Sequence, residues 1–208
     1  MFYLIKTPGF VKRLYPGCIW EMPGNDKTLY LSFDDGPHPE ITPFVLDELK
    51  KFDAKATFFC IGKNVLANPG IYERIIDEGH AVGNHSFNHV NGWKTGDTAY
   101  LDDVAEAAKY IDSNLFRPPY GRITRFQLSQ LSLPRFRLKT VMWTVLCGDF
   151  DTEISPEKCL KNVISKSGPG SVVVFHDSEK ADIRMRYALT GTLEYFTGKG
   201  YRFDRIRL

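Results

Sequence analysis

The chain has 208 residues, with 27 basic against 25 acidic side chains for a formal net charge of +2, and is 43% hydrophobic and 25% charged. That is the composition of a globular chain long enough for one sizeable core, and its balanced charge gives no electrostatic case for nucleic acid or an acidic membrane as main partner. No apolar run approaches membrane-spanning length. Met1–Trp20 is broken at Lys6, Pro8 and Gly9 and lacks the apolar core of an export signal, so the cytoplasm is the default expectation, with non-standard export left open. Cys18, Cys60, Cys147 and Cys159 are widely scattered, which signals neither a disulfide framework nor a cysteine zinc site.

In chain order, an irregular segment over 1–27 is expected first. With no repeat, low-complexity tract or linker, 1–208 reads as one domain. Residues 28–33 form an apolar and aromatic run, a strand buried on both faces, which stops at Asp34-Asp35-Gly36-Pro37. A helix follows with Thr42 as N-cap, Pro43 in its first turn, and Val45, Leu46, Leu49 and Phe52 on one face. Ala56–Ile61 reads as a second buried strand, Asn68-Pro69 opens a helix that Gly79 ends, and Ala81-Val82-Gly83 is a short strand leading to Asn84-His85. Asp97-Thr98 precede a helix carrying Leu101, Val104, Ala105, Ala108 and Ile111. Leu115-Phe116 leads into Arg117-Pro118-Pro119-Tyr120-Gly121, which the prolines keep extended. Then come a helix over 124–131, a strand over 138–146, a helix from Ser155-Pro156-Glu157, a buried strand over 171–175, a last helix through Met185 to Phe196, and a strand over 201–206. Strand and helix alternate about seven times, which predicts an α/β protein with a mainly parallel sheet. Asp34-Asp35, His85, Arg117, Asp149 and His176-Asp177 all fall at C-terminal strand ends, where barrels and open sheets place their chemistry. The chain is shorter than the ~250 residues of a full barrel, so a distorted or incomplete (β/α) barrel of about seven parallel strands is expected.

A buried strand ending in two carboxylates needs a compensating partner, because desolvated charge is costly. His85-Ser86-Phe87-Asn88-His89 offers two imidazoles four residues apart, which share a face if the segment is helical. Asp35 with His85 and His89 would make a two-histidine, one-carboxylate set with open positions, suited to catalytic Zn²⁺ and also to non-haem Fe(II). Neighbouring residues on a strand face opposite ways, so one carboxylate of the pair can hold metal while the other takes a proton. His176 suits protonation of a leaving group, Asp149 its orientation, and Arg117 the holding of one carboxylate in its ionised form.

In this order the segments resemble the five motifs of the polysaccharide deacetylases, carbohydrate esterase family 4 or the NodB-homology domain. Ser32-Phe33-Asp34-Asp35-Gly36-Pro37 resembles the first, His85–His89 the second and Arg117-Pro118-Pro119-Tyr120 the third. Trp143 through Asp149-Phe150 resembles the fourth, and Phe175-His176-Asp177 the fifth. The resemblance covers the chain from Thr28 to its end and implies metal-dependent hydrolysis of N-acetyl, less often O-acetyl, groups on an N-acetylated glycan or oligosaccharide. It implies Asp34 as general base, Asp35, His85 and His89 as metal ligands, and Arg117 as the tether of Asp34. It further implies the Tyr120 backbone N–H at the oxyanion, and Asp149 orienting His176 as the acid. The implied cofactor is a divalent ion, Zn²⁺ first, with Co²⁺ or Ni²⁺ as alternatives. Two positions depart from the pattern: Phe150 where the fourth motif usually has Trp, and Phe175 where the fifth usually has Leu before its His. Both neighbour the acetyl pocket in the family, so Pro118, Tyr120, Phe150 and Phe175 are expected at the substrate, with Trp93 walling a sugar subsite.

Three other readings stay open: a metal-dependent amidohydrolase on a small non-sugar amide, a non-catalytic glycan-binding relative, and an Fe(II) oxygenase with the same ligand type. His38 is expected in an exposed loop, His80 as a solvated or capping residue at a helix end, and Asp177 either in a structural hydrogen bond or supporting the site.

Overall fold

The computed structural model describes residues 3–208, so Met1 and Phe2 of the expected irregular segment lie outside the described residues. In chain order the elements are α1 (Gly9–Leu14), β1 (Cys18–Ile19), β2 (Thr28–Asp34), α2 (Ile41–Lys51), β3 (Ala56–Cys60), α3 (Gly62–Ala67), α4 (Pro69–Asp77), β4 (Ala81–Asn84) and α5 (Asp97–Ala107). There follow β5 (Leu115–Phe116), a 3₁₀ turn at Pro119–Gly121, α6 (Arg125–Leu131), β6 (Lys139–Val141), β7 (Val145–Leu146), α7 (Pro156–Lys166), β8 (Val172–His176), α8 (Asp182–Thr197) and β9 (Arg202–Phe203).

Every strand-to-strand ladder is parallel, in the order β1-β6-β5-β4-β3-β2-β8-β7, with β9 added to the start of β2. This order fixes the curvature. In a flat sheet β6 and β7 would lie six strand spacings apart, about 29 Å. Only Met142–Thr144 connect them, and so short a link spans at most about 14 Å. The sheet therefore curls until its two ends nearly meet, which is the expected incomplete barrel. The N-terminal segment closes part of the remaining gap: Thr144 Oγ1 donates to Trp20 O (2.8 Å), Met22 N to Gly170 O (2.8 Å), and Lys6 and Glu21 form antiparallel bridges with Val145 and Ser171.

Alternation along the strands sorts the core into two layers. Leu29, Leu31 and Phe33 of β2, Phe58 of β3, and Val173 and Phe175 of β8 face outward into one cluster with Val45, Leu46 and Leu49 of α2 and Met185, Leu189 and Leu193 of α8. Phe59, Leu115, Val141 and Val172 fill the barrel interior with Met22 and Ile206. Polar residues follow towards the C-terminal strand ends: Ser32, Asp34, Asn84, Arg117 and His176.

Several local expectations change. The segment 1–27 carries a helix and an edge strand, because β6 offers a free edge to Cys18 and Ile19. The run 138–146 is two strands, since residues 142–144 leave one sheet end for the other. The terminal strand shrinks to Arg202–Phe203. α2 begins with Glu40 rather than Thr42 as its N-cap: the Thr42 hydroxyl accepts from His38 N (2.8 Å) and donates to Asp177 Oδ2 (2.5 Å). Thr124 and Ser155 cap the helices expected to start there, accepting from Gln127 N and Lys158 N.

Gly83 shows how closely the interior is fitted. A Cβ there would lie 2.5 Å from the ring of Phe59, its register partner, and 3.3 Å from Leu115 Cβ. Gly83→Ala is expected to lower the unfolding free energy by about 1–3 kcal/mol through overpacking. The readout is the urea midpoint, and an unchanged midpoint would contradict this close approach.

Candidate active site

The site begins where β2 ends. Asp34 is buried, and in register it faces Phe59 of β3 on one side and His176 of β8 on the other. Its Oδ1 accepts from Arg117 Nη1 at 2.7 Å, and the same nitrogen donates to Ser32 Oγ at 2.8 Å. Arg117 is wholly buried; its Nε donates to Val141 O (3.1 Å), its Nη2 to Met142 O (3.0 Å), and its guanidinium carbon lies 4.0 Å from the centre of the Phe59 ring. Burial pulls the Arg117 pKa down while Asp34 pulls it up, and the net direction is below the usual value. A guanidinium stays charged even so, and four hydrogen bonds satisfy most of its donors.

Asp35 faces the other way. Its Oδ1 lies 3.2 Å from His89 Nε2 and 3.8 Å from His85 Nε2, and the three donor atoms all fall within 4.8 Å of one another. The histidines meet without a helix. His85 extends β4, its N–H bonded to Cys60 O (2.9 Å), and the chain then loops with left-handed backbone at Ser86 (φ 62°) and His89 (φ 59°). Asn84 Oδ1 accepts from Ser86 N, and Asp103 of α5 accepts from the backbone N–H groups of Phe87 and Asn88, so two polar side chains shape this loop. Asp35 itself has φ 85°, and its carbonyl accepts from Asn64 Nδ2 (2.7 Å) at the middle of α3.

These donors fit a divalent cation. Asp35 Oδ1 is buried with no hydrogen-bond partner, a costly state for a carboxylate oxygen unless a cation faces it. His85 Nδ1 donates to Arg117 O at 2.7 Å, which fixes the tautomer and leaves the Nε2 lone pair aimed at Asp35. Burial first, with His89 adding repulsion and the two carboxylates opposing, lowers the His85 pKa to about 4, so it is neutral at pH 7, as a ligand must be. For Asp35, burial alone would raise the pKa, but the neighbouring histidines, His89 first, hold it well below the usual carboxylate range.

Opposite the donors stands a second pair. His176 Nδ1 bonds to Asp149 Oδ1 at 2.8 Å, and His176 N donates to Asp149 Oδ2 at 2.8 Å, so one buried carboxylate fixes both the ring and the backbone of that residue. Burial lowers the His176 pKa, but the Asp149 charge and hydrogen bond outweigh it and lift it to about 9. Its Nε2 is left free of Asp149. Arg184 Nε of α8 donates to Asp149 O (2.7 Å), securing the loop from behind.

The expected substrate residues divide. Tyr120 is 60% exposed, with its ring 4.5 Å from that of His89 and its backbone at φ 60°. Phe150 is half-buried, edge-on to His176 at 5.2 Å. Trp93 is exposed, its indole N–H bonded to Ile123 O (3.0 Å) and one face under the Arg122 guanidinium (4.1 Å). Pro118 is buried beside Arg117 in sequence. Phe175 is a correction: it has no exposed surface and stacks on Phe33 at 5.7 Å in the outer core. Strand alternation explains it, because Val174 and not Phe175 shares the face of His176. His80 is also buried, accepting from Ala56 N (3.1 Å), and is no solvated cap. Ser32, Asn84, Asn64 and Asp103 were missed, since lone hydrogen-bonding side chains carry no spacing signal. Asp177 accepts from Gly36 N (3.0 Å) as well as Thr42, and so braces the turn after Asp35. No helix among the described residues is long and apolar enough to cross a membrane.

Comparison with known proteins gives a consistent pattern. The family profile described as Polysaccharide deacetylase matches residues 21–132. The chain is 33% identical to a peptidoglycan-N-acetylglucosamine deacetylase of Bacillus cereus over 193 residues, covering 90% of each. It is 31% identical to a chitooligosaccharide deacetylase of Azorhizobium caulinodans over 160 residues, covering 74% of this chain and 75% of that protein. The crystal structure of the Bc1960 peptidoglycan N-acetylglucosamine deacetylase, in complex with a substituted N-oxidanyl-benzamide, superposes with a TM-score of 0.86 at 31% identity, covering 96% of this chain and 95% of that one.

Arg117 supplies the first test. Arg117→Met keeps much of the volume but leaves Asp34 buried without its counter-charge, which is expected to cost about 3–5 kcal/mol of stability. Urea unfolding measures it, and a loss below about 1 kcal/mol would contradict the role of this pair.

Proposed function

The chain belongs to the polysaccharide deacetylase family, and from that premise we propose that it hydrolyses the N-acetyl group of a sugar in a glycan or oligosaccharide, releasing acetate and leaving a free amine. This makes it a hydrolase of carbon–nitrogen bonds other than peptide bonds, acting as a single catalytic domain. The observation that carries the reading is the pairing of Asp34 with His176 across adjacent strands, next to the Asp35–His85–His89 donors.

Each residue then has a distinct task. Asp35, His85 and His89 would hold a divalent cation, Zn²⁺ by preference because two imidazoles and one carboxylate with open positions are the ligand set of catalytic zinc, with Co²⁺ or Ni²⁺ as substitutes. Bound there, such a cation would supply Lewis acidity and lower the pKa of a water it holds. Asp34, oriented by the Arg117 guanidinium, takes the proton of the water that adds to the acyl carbon. The Tyr120 backbone N–H holds the oxygen that becomes negative. His176 delivers a proton from Nε2 to the departing amine as the C–N bond breaks, and Asp149 holds its ring for that transfer. Tyr120 and Phe150 frame the acyl group, while Trp93 offers a platform for a sugar ring further out.

The test is acetate release from chitooligosaccharides and peptidoglycan by metal-stripped protein, before and after adding back Zn²⁺, Co²⁺ or Ni²⁺. Release that depends on the added ion is expected; none from any substrate overturns the reading. The same assay carries a pH prediction. His176 works as the protonated form, and its pKa is raised, so activity persists through neutral pH and falls as pH rises through about 9. A bound cation moves that limb lower, never higher. An alkaline limb that stays flat to pH 10.5 would remove His176 from the acid role.

A further inference from the structure

The N-terminal segment does more than close the barrel. Residues 5–7 lie along the outer edge of β7: Leu146 N donates to Ile5 O (2.8 Å), Thr7 N donates to Thr144 O (3.0 Å), Lys6 bridges Val145 in antiparallel sense, and Thr7 Oγ1 donates to Trp143 O (2.8 Å). β7 leads directly into Asp149-Phe150, so this strap delivers Tyr3 to the loop that bears the Asp149–His176 pair. There the Tyr3 ring packs on Phe150 at 5.0 Å with the planes tilted by 60°, and its hydroxyl donates to Asp151 Oδ2 at 2.8 Å. Room is left for it on the chain below: a Cβ on Gly148, which has φ 88°, would stand 3.1 Å from the Tyr3 hydroxyl. The order of contacts is therefore Asp151–Tyr3–Phe150–His176, with Phe150 meeting the imidazole edge-on.

We propose that Tyr3 is a specificity-determining residue: by backing Phe150 it fixes one wall of the cleft beside His176 and limits the acyl group accepted there to one about the size of acetyl. Phe150 is a half-buried ring on a loop rather than on a strand, so its position beside His176 depends on what packs against it. Tyr3 is the ring that packs on it, at 5.0 Å. It is itself anchored twice, by the strand-edge pairing of residues 5–7 and by Asp151. A wall held this way discriminates by excluded volume, and discrimination of one methylene in an apolar site is worth about 10–200-fold. The inference rests on the deacetylase reading above.

The experiment compares kcat/KM for N-acetyl, N-propionyl and N-butyryl chitooligosaccharides in wild type, Tyr3→Leu and Tyr3→Ala. The ratio between two substrates of one preparation cancels the fraction of folded enzyme, so a merely structural loss does not move it. Wild type is expected to prefer acetyl. Tyr3→Ala should raise the propionyl-to-acetyl ratio about tenfold. Tyr3→Leu, which keeps an apolar plug and serves where the alanine variant fails to fold, should raise it at least about threefold. Ratios within twofold of wild type in the folded variants, or a wild type indifferent to acyl length, overturn the proposal while leaving deacetylation standing. A wild type that releases no acyl group at all overturns the deacetylase reading itself.

Discussion

The buried pair of Arg117 and Asp34 is the constraint on which the rest of the structure hangs. A wholly buried guanidinium is tolerable only when its donors and its charge are both answered. Here the answers come from around the half-barrel: Ser32 and Asp34 of β2, the carbonyls of Val141 and Met142 at the end of β6, and the face of Phe59 on β3. The carbonyl of Arg117 in turn accepts a hydrogen bond from His85 Nδ1, just beyond β4. One side chain after β5 thus joins strands on both sides of it in the sheet and fixes the position of Asp34. Gly83 belongs to the same constraint, because the ring it makes room for is the ring on which Arg117 lies.

From that anchor the two adjacent carboxylates separate. Asp34 continues the strand and turns inward to Arg117, while Asp35 enters left-handed backbone and turns to the histidines. Non-glycine residues in that region are uncommon and cost of the order of 1–3 kcal/mol each. Four of them, Asp35, Ser86, His89 and Tyr120, gather around the donor cluster. The surrounding hydrogen bonds hold them there: Asn64 on the Asp35 carbonyl, Asn84 on Ser86, and Asp103 beneath the loop between the histidines. The scaffold invests stability in placing three donor atoms where one cation can meet all of them.

Much of this was readable in the sequence, and the limits have physical causes. Strands buried on both faces announce themselves as apolar runs, and the polar residues that end them mark the catalytic edge of the sheet. So Asp34, Asp35, His85, Arg117, Asp149 and His176 were legible as one constellation. The spacing of the two histidines would bring them to one face of a helix, whereas a loop with left-handed turns does so in the structure; backbone of that kind has no signature at Ser86 or His89. Phe175 was misplaced although period-two alternation was available to place it. The strap was illegible because Tyr3-Leu4-Ile5 is too short to show a period, and its partner, the edge of β7, exists only once the sheet has curled. The curl itself follows from a strand order that no local pattern encodes.

The division of labour between the paired aspartates is tested most directly by measuring Zn²⁺ affinity calorimetrically and acetate release side by side in Asp34→Asn and Asp35→Asn. If Asp34 moves protons and Asp35 holds the cation, Asp34→Asn binds Zn²⁺ like wild type while turnover falls by about 10²–10⁴-fold. Asp35→Asn then loses Zn²⁺ affinity, and with it turnover. The opposite pattern, or two variants that lose metal and turnover alike, would contradict the division.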